Sequence, residues 1–75
     1  MLRVLLFASL RDRAGWGEKM IKLPADGMTA GKVWDQLRLG SLGSIRIAVN
    51  QKLVMPDQPV LEGDELAFLP PFSGG

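Results

Sequence analysis

Between Thr29 and Gly40, Ala30, Val33, Trp34 and Leu37 recur at i, i+3, i+4 and i+7. That spacing gathers four apolar side chains on one helix face and leaves Lys32, Asp35, Gln36 and Arg38 largely away from it. Thr29 is placed to accept a hydrogen bond from an orphan N–H of the first turn, and Gly40 is a natural stop. An isolated helix of about ten residues is marginal in water, so this one must lie across a second apolar surface. The rest of the chain has to supply that surface as a sheet.

Strand signals stand on both sides of the stripe. Leu2 to Phe7 is a short apolar run with β-favouring residues, read as a central strand covered on both faces. Leu10 to Ala14 tolerates a helical turn, Gly15-Trp16-Gly17 punctuates the chain, and Lys19 to Leu23 follows as a second strand ending at Pro24. Beyond the helix, Gly40 to Ser44 reads as a flexible connection with little to pack. Ile45, Ile47 and Val49 then alternate with Arg46, Ala48 and Asn50 as a period-two strand. Asn50-Gln51 is a tight turn into Lys52 to Met55, Pro56, Asp57 and Pro59 break the chain, and Glu65 to Leu69 forms the last strand.

The order β, β, α, β, β, β in one domain predicts an α+β fold of two layers. Two hairpins on either side of one helix, with the last strand returning beside the first, is the β-grasp (ubiquitin-like) arrangement: a mixed sheet of about five strands under one main helix. A ferredoxin-like split wants a second full helix, and the sequence offers a short one. The predicted organisation is a domain over 1–69 and an extended tail over 70–75.

Several function classes lose their chemistry on composition. Histidine and cysteine are absent, which removes the commonest general base, the thiolate nucleophile, disulfides and the commonest metal ligands. The eight carboxylates form no metal-loop pattern. Nine basic residues against eight acidic ones give a net charge of +1 without a basic cluster, so no nucleic-acid partner is expected. The apolar run near the start is far too short for a membrane span. A cytoplasmic protein with no metal and no catalytic residues of its own is the expectation.

Chemistry is expected instead at the end of the sequence, Pro70-Pro71-Phe72-Ser73-Gly74-Gly75. Two prolines favour a stiff, extended exit from the last strand. Six residues at up to 3.3–3.6 Å each carry the terminal group roughly 20 Å from the domain. Gly74 and Gly75 remove the Cβ atoms that crowd a carbonyl or block a narrow channel. A terminal carboxyl with pKa about 3.3–3.7 is ionised at neutral pH and a poor electrophile, so it needs activation before any transfer. An inert chain end is the competing reading.

Phe68-Leu69-Pro70-Pro71-Phe72-Ser73-Gly74-Gly75 resembles the C-terminal signature of the small subunit of molybdopterin synthase, a ubiquitin-like sulfur carrier family. Val4 to Ala8 with Leu10-Arg11, Ala48 to Gln51 and Leu61 to Phe68 resemble further family segments in the same order. The middle departs from the pattern through its brief Gly/Ser-rich connection. Leu69 and Phe72 stand where phenylalanine and valine are usual. The resemblance implies that an adenylyltransferase like those that activate ubiquitin adenylates Gly75 with ATP and that a sulfur donor protein converts the adenylate to a thiocarboxylate. It implies no directly bound cofactor. Pro70, Pro71, Phe72, Ser73 and Gly74 would insert into the synthase large subunit, which carries the catalytic side chains, and the sheet surface at Phe68 and Leu69 would meet it. The sulfur would go to cyclic pyranopterin monophosphate, with two carriers on a dimeric large subunit. The thiamine-pathway sulfur carrier, a carrier for tRNA thiolation or protein conjugation, and a β-grasp interaction module with an inert tail are the alternatives; the Pro-Pro segment argues against the first.

Among the remaining side chains, Trp34 is read as core. Trp16 either closes the core edge or anchors a partner. Arg11 is read as a solvated arginine, and Met20, Met28 and Met55 as apolar filler.

Overall fold

The computed structural model describes residues 1–71. In chain order the elements are β1 (Leu2–Leu6), α1 (Ala8–Ala14), β2 (Glu18–Ile21), β3 (Met28–Thr29), α2 (Ala30–Leu37), β4 (Arg46–Val49), β5 (Lys52–Val54), β6 (Pro59–Val60) and β7 (Glu65–Leu69). Five strands form a mixed sheet in the order β2-β1-β7-β4-β5, and β3 and β6 make a separate two-stranded pair. β1 runs antiparallel to β2 and parallel to β7, while β4 runs antiparallel to both β7 and β5. Two hairpins therefore flank α2, with the last strand at the centre beside the first: the β-grasp arrangement expected from the sequence.

The core lies between one sheet face and α2. Leu2, Val4 and Leu6 of β1, Leu66 and Phe68 of β7 and Ile47 and Val49 of β4 share that face by register and are buried together with Ala30, Val33 and Trp34 of the helix. Trp34 lies with its ring centroid 4.9 Å from that of Phe68 at 55°, a tilted aromatic contact of the favoured kind. Its indole N–H donates to the Gly40 carbonyl at 2.9 Å, so this large buried residue leaves no polar atom unpaired.

Helix α2 begins as predicted, with the Thr29 hydroxyl accepting from Lys32 N–H at 3.3 Å. The Ala30 and Gly31 N–H groups donate to the carbonyls of Gln58 and Pro56 at 2.9 and 2.8 Å, which satisfies further donors of the first turn. A Cβ on Gly31 would sit 3.1 Å from the Pro56 oxygen, so this position needs glycine for close approach. The helix stops earlier than Gly40. Arg38 is the C-cap at φ 54, and its N–H donates to Asp35 O at 3.3 Å. The chain turns there so that Leu39 and Leu42 can pack back on the core, and the expectation that Gly40 to Ser44 has little to pack is corrected at Leu42.

Two further differences have local causes. The turn after β1 is a seven-residue helix, α1, whose N-cap Phe7 supplies no side-chain cap, so no capping residue announced it. It buries Leu10. The β3–β6 pair was not anticipated, because two-residue strands carry no periodicity and Pro59 reads as a breaker.

The Asn50-Gln51 turn has φ of 51° and 70°, the double positive φ of a two-residue type I′ hairpin. Asn50 also ties this turn to the start of β7: its Nδ2 donates to Asp64 Oδ1 at 3.0 Å, and its Oδ1 accepts from Glu65 N–H at 3.0 Å. Asp64 Oδ2 in turn accepts from Leu61 N–H at 2.8 Å. Asn50→Ala loses both bonds and puts a Cβ residue without a local hydrogen-bonding side chain into the left-handed region. Urea unfolding should show a loss of about 2 kcal/mol, with Asn50→Gly recovering the backbone part alone.

Candidate functional site

The last strand sets the geometry of the candidate site. β7 sits between β1 and β4, and Phe7 N–H donates to Phe68 O at 3.3 Å as the strand ends. Pro70 is half-buried and Pro71 exposed. The chain therefore leaves from the middle of the sheet, next to the β1–α1 junction. Phe72, Ser73, Gly74 and Gly75, the expected tail and sulfur-bearing residues, lie outside the described residues.

Phe68 and Leu69 were both expected at a partner surface. Phe68 is 0% exposed and packs on Trp34, so its side chain belongs to the core and that expectation is corrected. Side chains alternate along a strand, which puts Leu69, half-buried, on the opposite face with Ala67 and Glu65.

Among the described residues, no helix lies across that opposite face. Across its middle, the registers Glu18–Leu5, Leu5–Ala67, Ala67–Ala48 and Ala48–Leu53 align one row over all five strands. Leu5, Ala67, Ala48 and Leu53 make most of this row apolar. Ala48 and Ala67 are small and only 8% and 7% exposed, while Leu53 stands at the end of the row 66% exposed. Leu69 pairs with Arg46 in the row nearest the chain exit. The double-sided covering expected of β1 thus holds on one face. On the other, its apolar residue Leu5 borders an open surface.

Charge is confined to the borders of this surface. Arg3 donates from Nε to Glu18 Oε2 at 2.9 Å and from Nη1 to Glu65 Oε1 at 3.3 Å. The hydrogen bond that Arg3 donates to Glu18, then the Glu18 charge, and more weakly the charge of Glu65 outweigh desolvation and raise the Arg3 guanidinium above its ordinary value. The pairing leaves Glu18, the charged residue of the central row, bound to Arg3, and the trio of Arg3, Glu18 and Glu65 keeps one net negative charge at this border.

Near the chain exit, Phe7 is exposed and, with Ala8, Arg11 and Gly17, lines a notch of about 320 Å³. Arg11 is a surface residue whose side chain lies over Gly17; a Cβ there would come within 2.9 Å of its Nε. Trp16 packs against the core edge, with the Lys19 ammonium 4.7 Å from its ring centroid. Met20 and Met55 are exposed rather than filler, while Met28 is partly buried against the core. Among the described residues no three His, Cys, Asp or Glu side chains gather as a metal site, and no helix is long and apolar enough to cross a membrane.

The ThiS family model matches residues 4–75, from within β1 through the other four strands of the sheet to the C-terminal Gly-Gly. The chain belongs to the ThiS family. Within it, the molybdopterin synthase sulfur carrier subunit of Escherichia coli K12 is 35% identical, with 100% of each chain covered. That of Arabidopsis thaliana is 36% identical over 99% of this chain and 82% of its own. Among solved structures, SAMP1 from Haloferax volcanii superposes with a TM-score of 0.80 at 25% identity, covering 99% of this chain and 98% of that one. The complex of subunits 1 and 2 of the molybdopterin-converting factor from Helicobacter pylori contains the same fold, with a TM-score of 0.67 at 24% identity over 99% and 97% of the two chains. The ThiS-family fold is the β-grasp read from the sequence. The open-face residues Leu5, Ala48, Ala67 and Leu53 were not singled out there. Their signal was present in β1, where Leu5 interrupts the alternation expected of a strand with one wet face.

Proposed function

We propose that this ThiS-family chain is the sulfur carrier subunit of a molybdopterin synthase, loaded at the carboxylate of Gly75. The observation that carries the reading is the placement of Pro70-Pro71-Phe72-Ser73-Gly74-Gly75 directly after the central strand β7. An activating enzyme joins the carboxylate to the α-phosphate of ATP, releasing pyrophosphate. Sulfur at the sulfide level from a donor protein then attacks the acyl carbon and displaces AMP, leaving a thiocarboxylate. The two glycines offer an unhindered acyl carbon to both steps. The thiocarboxylate sulfur attacks a carbon of the cyclic pyranopterin monophosphate in the large subunit and displaces an oxygen substituent from it. Water then hydrolyses the resulting acyl–sulfur bond, which leaves the sulfur on the pterin and returns the Gly75 carboxylate, with large-subunit side chains supplying acid and base.

The open sheet face is the surface assigned to the partner. Its apolar middle and ion-paired border suit a docking patch with a dry centre and polar rim. The names of the relatives and the two-subunit complex of the Helicobacter pylori counterpart support a large-subunit partner. Ordering an extended tail is costly, so most affinity should come from this face.

Binding of the large subunit separates the two roles. Leu53→Glu should weaken association about 10-fold or more, since it puts a charge into the apolar row, and its melting curve should stay near wild type. Deleting Gly74 and Gly75 should abolish sulfur transfer yet leave association measurable. Complete loss of co-purification on that deletion would contradict the division of labour.

A further inference from the structure

A second apolar feature adjoins the open face. A groove of about 440 Å³ lies where the 42–45 connection and the start of β4 meet the end of β5, walled by Leu42, Ile45, Ile47, Leu53, Val54 and Met55. Leu53 and Met55 are 66% and 71% exposed, so two large apolar side chains face water on one concave surface. Leu53 belongs both to this groove and to the apolar row of the open face, which makes the two surfaces continuous.

Backbone and charge narrow the occupant. β5 is an edge strand. The two-residue turn makes Val49–Lys52 the hydrogen-bonded pair, so the next pair, Ala48–Leu53, turns its backbone groups outward. Leu53 thus presents its N–H and C=O along the free edge, a fit for an extended segment. Arg46 is the one charged residue of the groove lining, and it makes no salt bridge among the described residues. A segment seated here is favoured if it brings a carboxylate.

We propose that this groove is a second docking site for the synthase large subunit, taking an extended segment that inserts an apolar side chain between Leu42 and Met55 and sets a carboxylate against Arg46. The assignment rests on the functional reading above and extends it, from a flat face to a groove that fixes the partner's register on the edge of the sheet.

Ser44 tests it independently of the open face, because it lines the groove but lies outside the five-strand row. It is exposed, so Ser44→Trp fills the groove without removing a core contact. Titration of the purified large subunit from the same organism should show about 10-fold weaker binding for Ser44→Trp, and a comparable loss that grows at low salt for Arg46→Glu. Met55→Glu gives the same readout should the tryptophan variant melt early. Wild-type affinity in folded Ser44→Trp and Met55→Glu overturns the groove assignment alone. Failure of the wild-type chain to bind the large subunit overturns it together with the functional reading. Sedimentation showing self-association lost in Ser44→Trp assigns the groove to a second copy and overturns the occupant proposed here.

Discussion

Gly74→Val should leave the domain as stable as wild type and stop it from being charged with sulfur. Position 74 lies five residues past the end of β7 at Leu69, so the change is expected to alter unfolding free energy by less than about 0.5 kcal/mol. Its chemical effect should be large. Valine restricts φ and ψ and puts two methyl groups one residue from the acyl carbon that must fit an adenylating site and then a synthase pocket. A displacement of about 1 Å at a reacting centre can cost on the order of 100-fold in rate. Single-turnover adenylation, followed with the activating enzyme and labelled ATP, should fall by at least that factor while the melting curve superposes on wild type. Full activity would refute the steric argument, and a large fall in melting temperature would show that the tail is packed against the domain.

Trp34→Ala should have the opposite profile. Trp34 is among the largest fully buried side chains, packs on Phe68 and closes the α2 C-terminal connection through its bond to Gly40 O. Truncation leaves a cavity under the helix and an unpaired carbonyl, at a cost of about 3–5 kcal/mol. A 75-residue domain has a total stability of roughly 4–11 kcal/mol at 0.05–0.15 kcal/mol per residue. The variant should therefore unfold at a much lower urea concentration, or be largely unfolded without denaturant. Trp34→Phe keeps the aromatic contact and should recover more than half of the loss. Near-wild-type stability in Trp34→Ala would mean that α2 is not what holds the sheet's inner face.

The contrast between these two positions follows what could be read from residues alone. The α2 stripe was legible because helical spacing separates an apolar face from a polar one, and Thr29 and Asn50-Gln51 were legible because cap and turn chemistry is local. Phe68 was misplaced for the converse reason: Leu66 to Leu69 is apolar throughout, and a run without alternation does not say which side faces the helix. Register decides it, through pairing with Leu6 and Ile47 on the inner face. The open face was missed by the same ambiguity, since Leu5 and Ala67 look like core residues until the strands are set side by side, although the alternation of β4 already put Ala48 on the face away from Ile47 and Val49. Arg38 as the helix cap and the β3–β6 pair depend on long-range packing that no local pattern announces. The tail was conspicuous in sequence because the chemistry proposed for it is covalent and is carried by the residue types themselves.

The most direct test is the intact mass of this chain after incubation with its activating enzyme, ATP and a sulfur donor. Exchange of one oxygen for one sulfur, mapped by fragmentation to Gly75 and dependent on ATP, is the predicted result. An unchanged mass with an activating enzyme that charges its other substrates, sulfur found on an internal residue, or charging that survives removal of Gly74 and Gly75 would contradict the account.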